Sequence, residues 1–69
     1  MADHSMLGKV GRVTAAVAPG HVGEVMVAVR GGTEAFNAYA NDASLTIPSG
    51  TRVVIVEYYP PRTVVVSPA

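Results

Sequence analysis

Two histidines, His4 and His21, are the side chains of this chain that ordinarily titrate near neutral pH, and they stand far apart in sequence. Nucleophilic catalysis needs a base held against a Ser, Thr or Cys by a third group. His4 has only Asp3 and Ser5 beside it, and three adjacent residues of a flexible tail cannot hold that geometry. A transition-metal site needs several convergent imidazole, thiolate or carboxylate ligands, and the chain has no cysteine. His21, between Gly20 and Val22, therefore reads as a turn residue. The acidic residues Glu34, Asp42 and Glu57 fall in separate segments with nothing to bring two carboxylates together, so solvated surface charge is expected. Gly8 with Gly11, and Pro19-Gly20 with Gly23, lack the following Gly-Lys-Ser/Thr and the helix that a phosphate-cradling loop requires. Turns and bulges account for those glycines. The expectation is a protein with no catalytic residue, no metal site and no cofactor.

Phe36, Tyr39, Tyr58 and Tyr59 raise a different chemistry, the stacking of unpaired nucleotide bases on aromatic rings over a basic groove. The groove is the missing half. Lys9, Arg12, Arg30, Arg52 and Arg62 are spread singly along the chain, and five basic residues balance five acidic ones to a formal net charge of zero. Binding of single-stranded nucleic acid is thus the alternative reading, because phosphate neutralisation needs clustered Lys and Arg.

The elements that must position these residues are five short apolar runs: Lys9 to Ala18, Glu24 to Arg30, Thr33 to Ala40, Arg52 to Tyr59 and Thr63 to Ser67. Valine and other strand formers dominate them, and Gly or Pro punctuates them. In the first, Val13, Ala15 and Val17 alternate with Arg12, Thr14 and Ala16, the period of a strand with one buried face. Glycine near its start predicts a bulge or a close backbone approach. Gly31-Gly32 predicts a two-residue hairpin loop that pairs Arg30 with Thr33. That register sets Ala28 opposite Ala35, Val27 opposite Phe36, Met26 opposite Asn37 and Val25 opposite Ala38. Val25, Val27, Phe36 and Ala38 then share the apolar face, while Met26 and Tyr39 lie on the other. Glu34 falls on the apolar face near the hairpin tip.

Asn41 to Gly50 admits at most one helical turn, since Pro48 and Gly50 stop extension. Leu45 and Ile47 in that segment are expected to plug an open barrel end. Val53-Val54-Ile55-Val56 is apolar on both faces, which predicts cover on both sides or a bulge. Beyond it, Tyr58 and Tyr59 point to opposite faces, one packed and one wet. Pro60-Pro61-Arg62 is a stiff connection to a last strand antiparallel to the fourth.

At 69 residues the chain holds one domain, and a core of this size leaves only about 3–5 kcal/mol of net stability. With no disulfide to help, oligomerisation or a larger parent protein is the expected support. The Val53–Val56 run falls far short of the roughly 20 apolar residues of a membrane-spanning helix. Residues 1–6 lack the basic and apolar regions of a signal peptide and read as a disordered leader or cloning remnant. Residues 7–69 read as the domain, a five-stranded, OB-fold-like Greek-key β-barrel whose first three strands form a meander.

The punctuation narrows the likeness further. Gly8-Lys9-Val10-Gly11-Arg12-Val13-Thr14, Pro19-Gly20-His21-Val22-Gly23-Glu24-Val25, Ile47-Pro48-Ser49-Gly50-Thr51-Arg52-Val53-Val54-Ile55-Val56-Glu57 and Thr63-Val64-Val65-Val66-Ser67-Pro68, in that order, resemble the C-terminal soluble domain of the NfeD family. Phe36 and Ala38 fit the third strand of that pattern. Asn37-Ala38-Tyr39-Ala40 is less polar than the pattern, and Tyr58-Tyr59-Pro60-Pro61 replaces its Gly-containing last hairpin; both departures concern the exposed surface. The resemblance implies a barrel that follows transmembrane helices absent from this chain. It also implies a place beside stomatin-, prohibitin- or flotillin-type (SPFH) membrane scaffolds, on the cytoplasmic side. The outer-face register and the proline-rich hairpin single out Met26, Tyr39, Tyr58, Tyr59 and Arg62 as contact residues for such a partner.

Overall fold

Valine-rich runs with Gly or Pro at their ends settle into extended strands, because branched side chains pack well on a pleated surface and the punctuating residues stop the ladder. A computed structural model describes residues 6–29 and 31–69. The strands are β1 (Val10–Ala15), β2 (Gly23–Val29), β3 (Gly32–Ala40), β4 (Arg52–Tyr59) and β5 (Thr63–Pro68). They close into a barrel in the order β1-β2-β3-β5-β4. Neighbours are antiparallel except β3 and β5, which run parallel. This is the OB-fold arrangement that the sequence predicts.

Inward-facing residues alternate along each strand: Val13 from β1, Val25 and Val27 from β2, Phe36 and Ala38 from β3, Val53 and Ile55 from β4, Val64 and Val66 from β5. Fully burying such an aliphatic side chain contributes about 1.5–3 kcal/mol, opposed by the entropy of ordering the chain. Met6 joins this core at 3% exposure. It belongs to the segment expected to be a leader, of which residues 1–5 lie outside the described residues. The backbone explains its burial. Gly8 N–H donates to the Ile55 carbonyl at 2.8 Å and Ile55 N–H to the Lys9 carbonyl at 2.9 Å, so the β4 ladder continues past the start of β1.

Two bulges change which side chains point inward. On β1, Val13 pairs with Val25 and Ala15 with Glu24, so two residues are gained on one strand for one on the other. Ala15, predicted inward with Val13 and Val17, is turned out to solvent, whereas Val17 is buried. On β4, Ile55 pairs with Val66 and Glu57 with Val65. Val56 is the extra residue and is exposed. A bulge is one of the two explanations the doubly apolar Val53–Val56 run allows.

The β2–β3 hairpin is shifted from its predicted register. Val29 pairs with Gly32, Val27 with Glu34, Val25 with Phe36 and Gly23 with Ala38. Gly32 belongs to β3 and not to the loop, and Gly31 carries the left-handed φ of 86° that glycine tolerates. Moving the loop by one residue slides the pairing by two. The period of a strand is also two, so Val25, Val27, Phe36 and Ala38 still share the buried face. Glu34 lies on that face beyond the core and is exposed at the tip.

Gly11 and Gly23 are buried at close strand approaches. A Cβ on Gly11 would sit 2.8 Å from Val25 Cγ2 and 2.9 Å from the Met26 carbonyl oxygen. The segment between β3 and β4 forms a tight turn, not a helix. Asp42 Oδ1 accepts from the Ser44 amide at 3.0 Å and the Ser44 hydroxyl at 2.8 Å, and Leu45 N–H donates to the Asp42 carbonyl. From there Ile47 enters the barrel end, buried to 1% exposure. Its amide and carbonyl exchange bonds of 2.7 and 2.9 Å with Val17, and Leu45 packs partly buried against the core.

Candidate protein-interaction surface

Closing the barrel turns the outer residues of β3, β5 and β4 onto one curved face, and strand pairing sets their neighbours. Tyr39 on β3 lies opposite Val65 on β5, which lies opposite Glu57 on β4. The adjacent outward row is Asn37, Thr63 and Tyr59. Tyr39 and Tyr59 are therefore diagonal neighbours across β5, 50% and 55% exposed. Tyrosines so placed offer an apolar ring and a polar tip, a pairing favoured at interfaces. The Tyr59 hydroxyl donates to Glu57 Oε1.

That bond carries an electrostatic signature. Losing the phenolic proton beside the Glu57 carboxylate forfeits the hydrogen bond and sets two negative charges together, which raises the Tyr59 pKa above its ordinary value. The raised group favours folding fully below the ordinary tyrosine pKa, a contribution lost as pH climbs through the folded-state value. In Glu57→Gln, Tyr59 is expected to titrate closer to ordinary tyrosine, read by ultraviolet difference absorbance or NMR. An unmoved titration would mean that the two side chains do not share a proton in solution.

Four of the five predicted contact residues meet on or beside this face. Met26 lies on the outer side of β2 opposite Ala35 and is half-buried. Arg62 stands at the β3–β5 seam, where Nη1 donates to the Ala35 carbonyl at 3.0 Å and its own carbonyl accepts from Asn37 N–H at 2.7 Å. Its guanidinium thus ties down strand backbone as well as lying near the surface. Tyr58 is the packed member of its pair. Its ring meets Phe36 edge-on, with centroids 6.2 Å apart and planes at 83°, and its hydroxyl reaches the Pro61 carbonyl at 3.4 Å.

Sequence reading passed over Leu7, Val10, Val22 and Val56, all exposed apolar side chains. Val10 was available from the sequence, since counting back from inward Val13 by twos places it outside. Val56 was not, because only the bulge turns it outward.

The NfeD C-terminal domain model matches residues 10–67. The chain belongs to the NfeD family. Among solved structures it is similar to the soluble domain of the NfeD protein YuaF from Bacillus subtilis, at 31% identity and a TM-score of 0.78, with 93% of this chain and 74% of that one covered. It shares its fold with the soluble domain of a Corynebacterium glutamicum membrane protein implicated in regulation of membrane protease activity. There the identity is 21% and the TM-score 0.76, with 94% of this chain and 95% of that one covered. No curated protein matches.

In this NfeD domain the remaining chemical candidates stay apart. His21 is exposed and exchanges backbone bonds with Ala18 at 2.9 and 3.2 Å, the turn role expected of it. His4 lies outside the described residues. Hydrogen bonds from the Ser44 amide and hydroxyl hold the Asp42 pKa below its ordinary value, a local turn effect. Among the described residues no group of three or more His, Cys, Asp or Glu is placed to hold a metal ion, and no polar or charged residue is buried. Nor is any helix among them long and apolar enough to cross a membrane. What the NfeD domain presents is a surface of rings, valines and a few hydrogen-bonding tips.

Proposed function

We propose that this NfeD domain is a non-catalytic docking module whose outer β3–β5–β4 face binds an SPFH-type membrane scaffold protein of the stomatin, prohibitin or flotillin kind, on the cytoplasmic side of the membrane. The observation that carries the reading is the pair Tyr39 and Tyr59, both half exposed and diagonal across β5 on one face. Family membership supports the setting, a soluble domain of membrane-associated proteins. Nucleic-acid binding has less behind it. Glu57 sets a carboxylate beside the Tyr59 ring, and the guanidinium of Arg62 is bonded to the Ala35 carbonyl.

The test is a pull-down from membranes of the source organism, with the wild-type domain and a Tyr39→Ala/Tyr59→Ala variant as baits. Both rings stand outside the core, so thermal unfolding should be nearly unchanged. Recovery of an SPFH protein should fall by about ten-fold or more if the rings are binding anchors. Equal recovery by both baits would remove these tyrosines from the surface. Salt-sensitive recovery of nucleic acid in place of protein would favour the alternative.

A further inference from the structure

The outward residues of β4 are Arg52, Val54, Val56, Glu57 and Tyr59, and the strip from Arg52 to Glu57 reads a cation, two valines and an anion. Val54 faces out because it pairs with exposed Val10 on β1 and with Ser67 on β5. Val56 faces out because of the bulge. The two charges stand roughly 16 Å apart along the strand. Turned end for end, this strip complements itself. Rotation about a twofold axis between the two valines lays apolar on apolar and brings each arginine against a glutamate.

We propose that the outer β4 face, widened by Leu7 and Val10, joins two copies of this chain about such an axis, with Arg52 of each copy facing Glu57 of the other. A second observation asks for the same anion. On the outer face Arg12 lies directly opposite Arg52, a like-charge cross-strand pair that is unfavourable by itself. The other cross-strand neighbour of Arg12 is Met26, which is uncharged. Glu24, the nearest diagonal carboxylate, already accepts from the Thr14 hydroxyl at 2.6 Å. The second copy's Glu57 would supply the missing charge to both arginines. Only one of its oxygens is engaged by Tyr59, which leaves Oε2 to accept.

The flank supplies area. Leu7 is 47% and Val10 45% exposed, beside the valines of β4. A standard interface takes about 800 Å² per partner, roughly a fifth of the 4222 Å² surface of this chain. It must therefore extend over both strands. A lipid surface or an unrelated protein could cover valines, but neither requires opposite charges at the two ends of one strand. An isologous contact makes use of both, and it counts each ion pair twice. The inference does not depend on the SPFH reading, which is carried by Tyr39 and Tyr59, although the two surfaces share the Glu57–Tyr59 end of β4.

Sedimentation velocity over a series of concentrations tests it with the 69-residue chain. The wild type should move reversibly from monomer to dimer. R52E and E57R, each verified as folded by thermal melting, should raise the dimer Kd by about ten-fold or more, since each reversal sets like charges together twice. The double variant R52E/E57R should restore it in part, since Arg12 keeps its charge beside the exchanged pair. Should a reversal disturb folding, the neutral pair R52Q/E57Q serves instead: its association should be weaker and nearly independent of salt, whereas that of the wild type weakens as salt rises. A wild type monomeric at every concentration overturns the proposal. So does an association that the single reversals leave unchanged or that the double reversal fails to rescue.

Discussion

Replacing Gly23 by alanine is expected to cost the barrel about 3 kcal/mol, most of what a domain of this size holds in reserve. The new methyl group would lie 2.5 Å from the Ala15 carbonyl oxygen, 2.8 Å from that of Ala16 and 2.5 Å from Val17 Cγ2. Two of the three obstacles are backbone, which no rotamer change can clear. They belong to the bulged end of β1, so relief would separate β1 from β2 where the barrel curls. Gly20→Ala makes the contrast. Nothing lies near its added carbon, and its φ of 69° costs an alanine only about 1–2 kcal/mol. Urea denaturation should give Gly23→Ala much the lower midpoint of the two. Equal midpoints would mean that the Ala15–Val17 segment yields to the methyl group at little cost.

The second large effect is expected from a residue outside every strand. Ile47→Ala should destabilise the domain by about 3 kcal/mol, within the range for emptying a fully buried aliphatic site. Ile47 closes the barrel end, and its backbone pairing with Val17 remains after truncation. The cavity therefore has no easy way to collapse. Its exposed neighbour should behave differently, with Thr46→Ala staying within about 0.5 kcal/mol of wild type. Both can be read as midpoints of reversible thermal or denaturant unfolding. An Ile47→Ala midpoint close to that of wild type would mean that the plug contributes little and that the strands alone carry the fold.

Much of the architecture was legible because its signals are local. Valine runs ended by Pro or Gly mark four of the five strands to within a residue at either end, and the first run passes the end of β1 by three. The hairpin register was misjudged by two residues, yet the faces survived, since a slip of two returns each side chain to its own side. Ala15 did not survive, because a bulge shifts by one. Met6 entered the core because Gly8 and Lys9 hydrogen-bond to Ile55 of β4, a long-range partner that no local pattern announces. The candidate surface was legible in the same uneven way. Alternation was enough to set Tyr58 and Tyr59 on opposite sides and Tyr39 outside. It could not show that Arg62 reaches back to the Ala35 carbonyl, or that Val56 would be thrust outward beside Glu57.

The ring order described above also governs time. The β2–β3 hairpin needs only its two-residue connection to form, an event of about 1–10 μs in isolation. Its neighbours must wait for distant chain. β1 closes on β4 by bringing Val10 to Val54, and β3 finds β5 only after the whole segment through β4 has been laid down. Such non-local pairings place barrels among the slower small folders, in the range of about milliseconds to seconds. The speed of folding is then set by the last seam to close, and not by the readiness of any strand to extend.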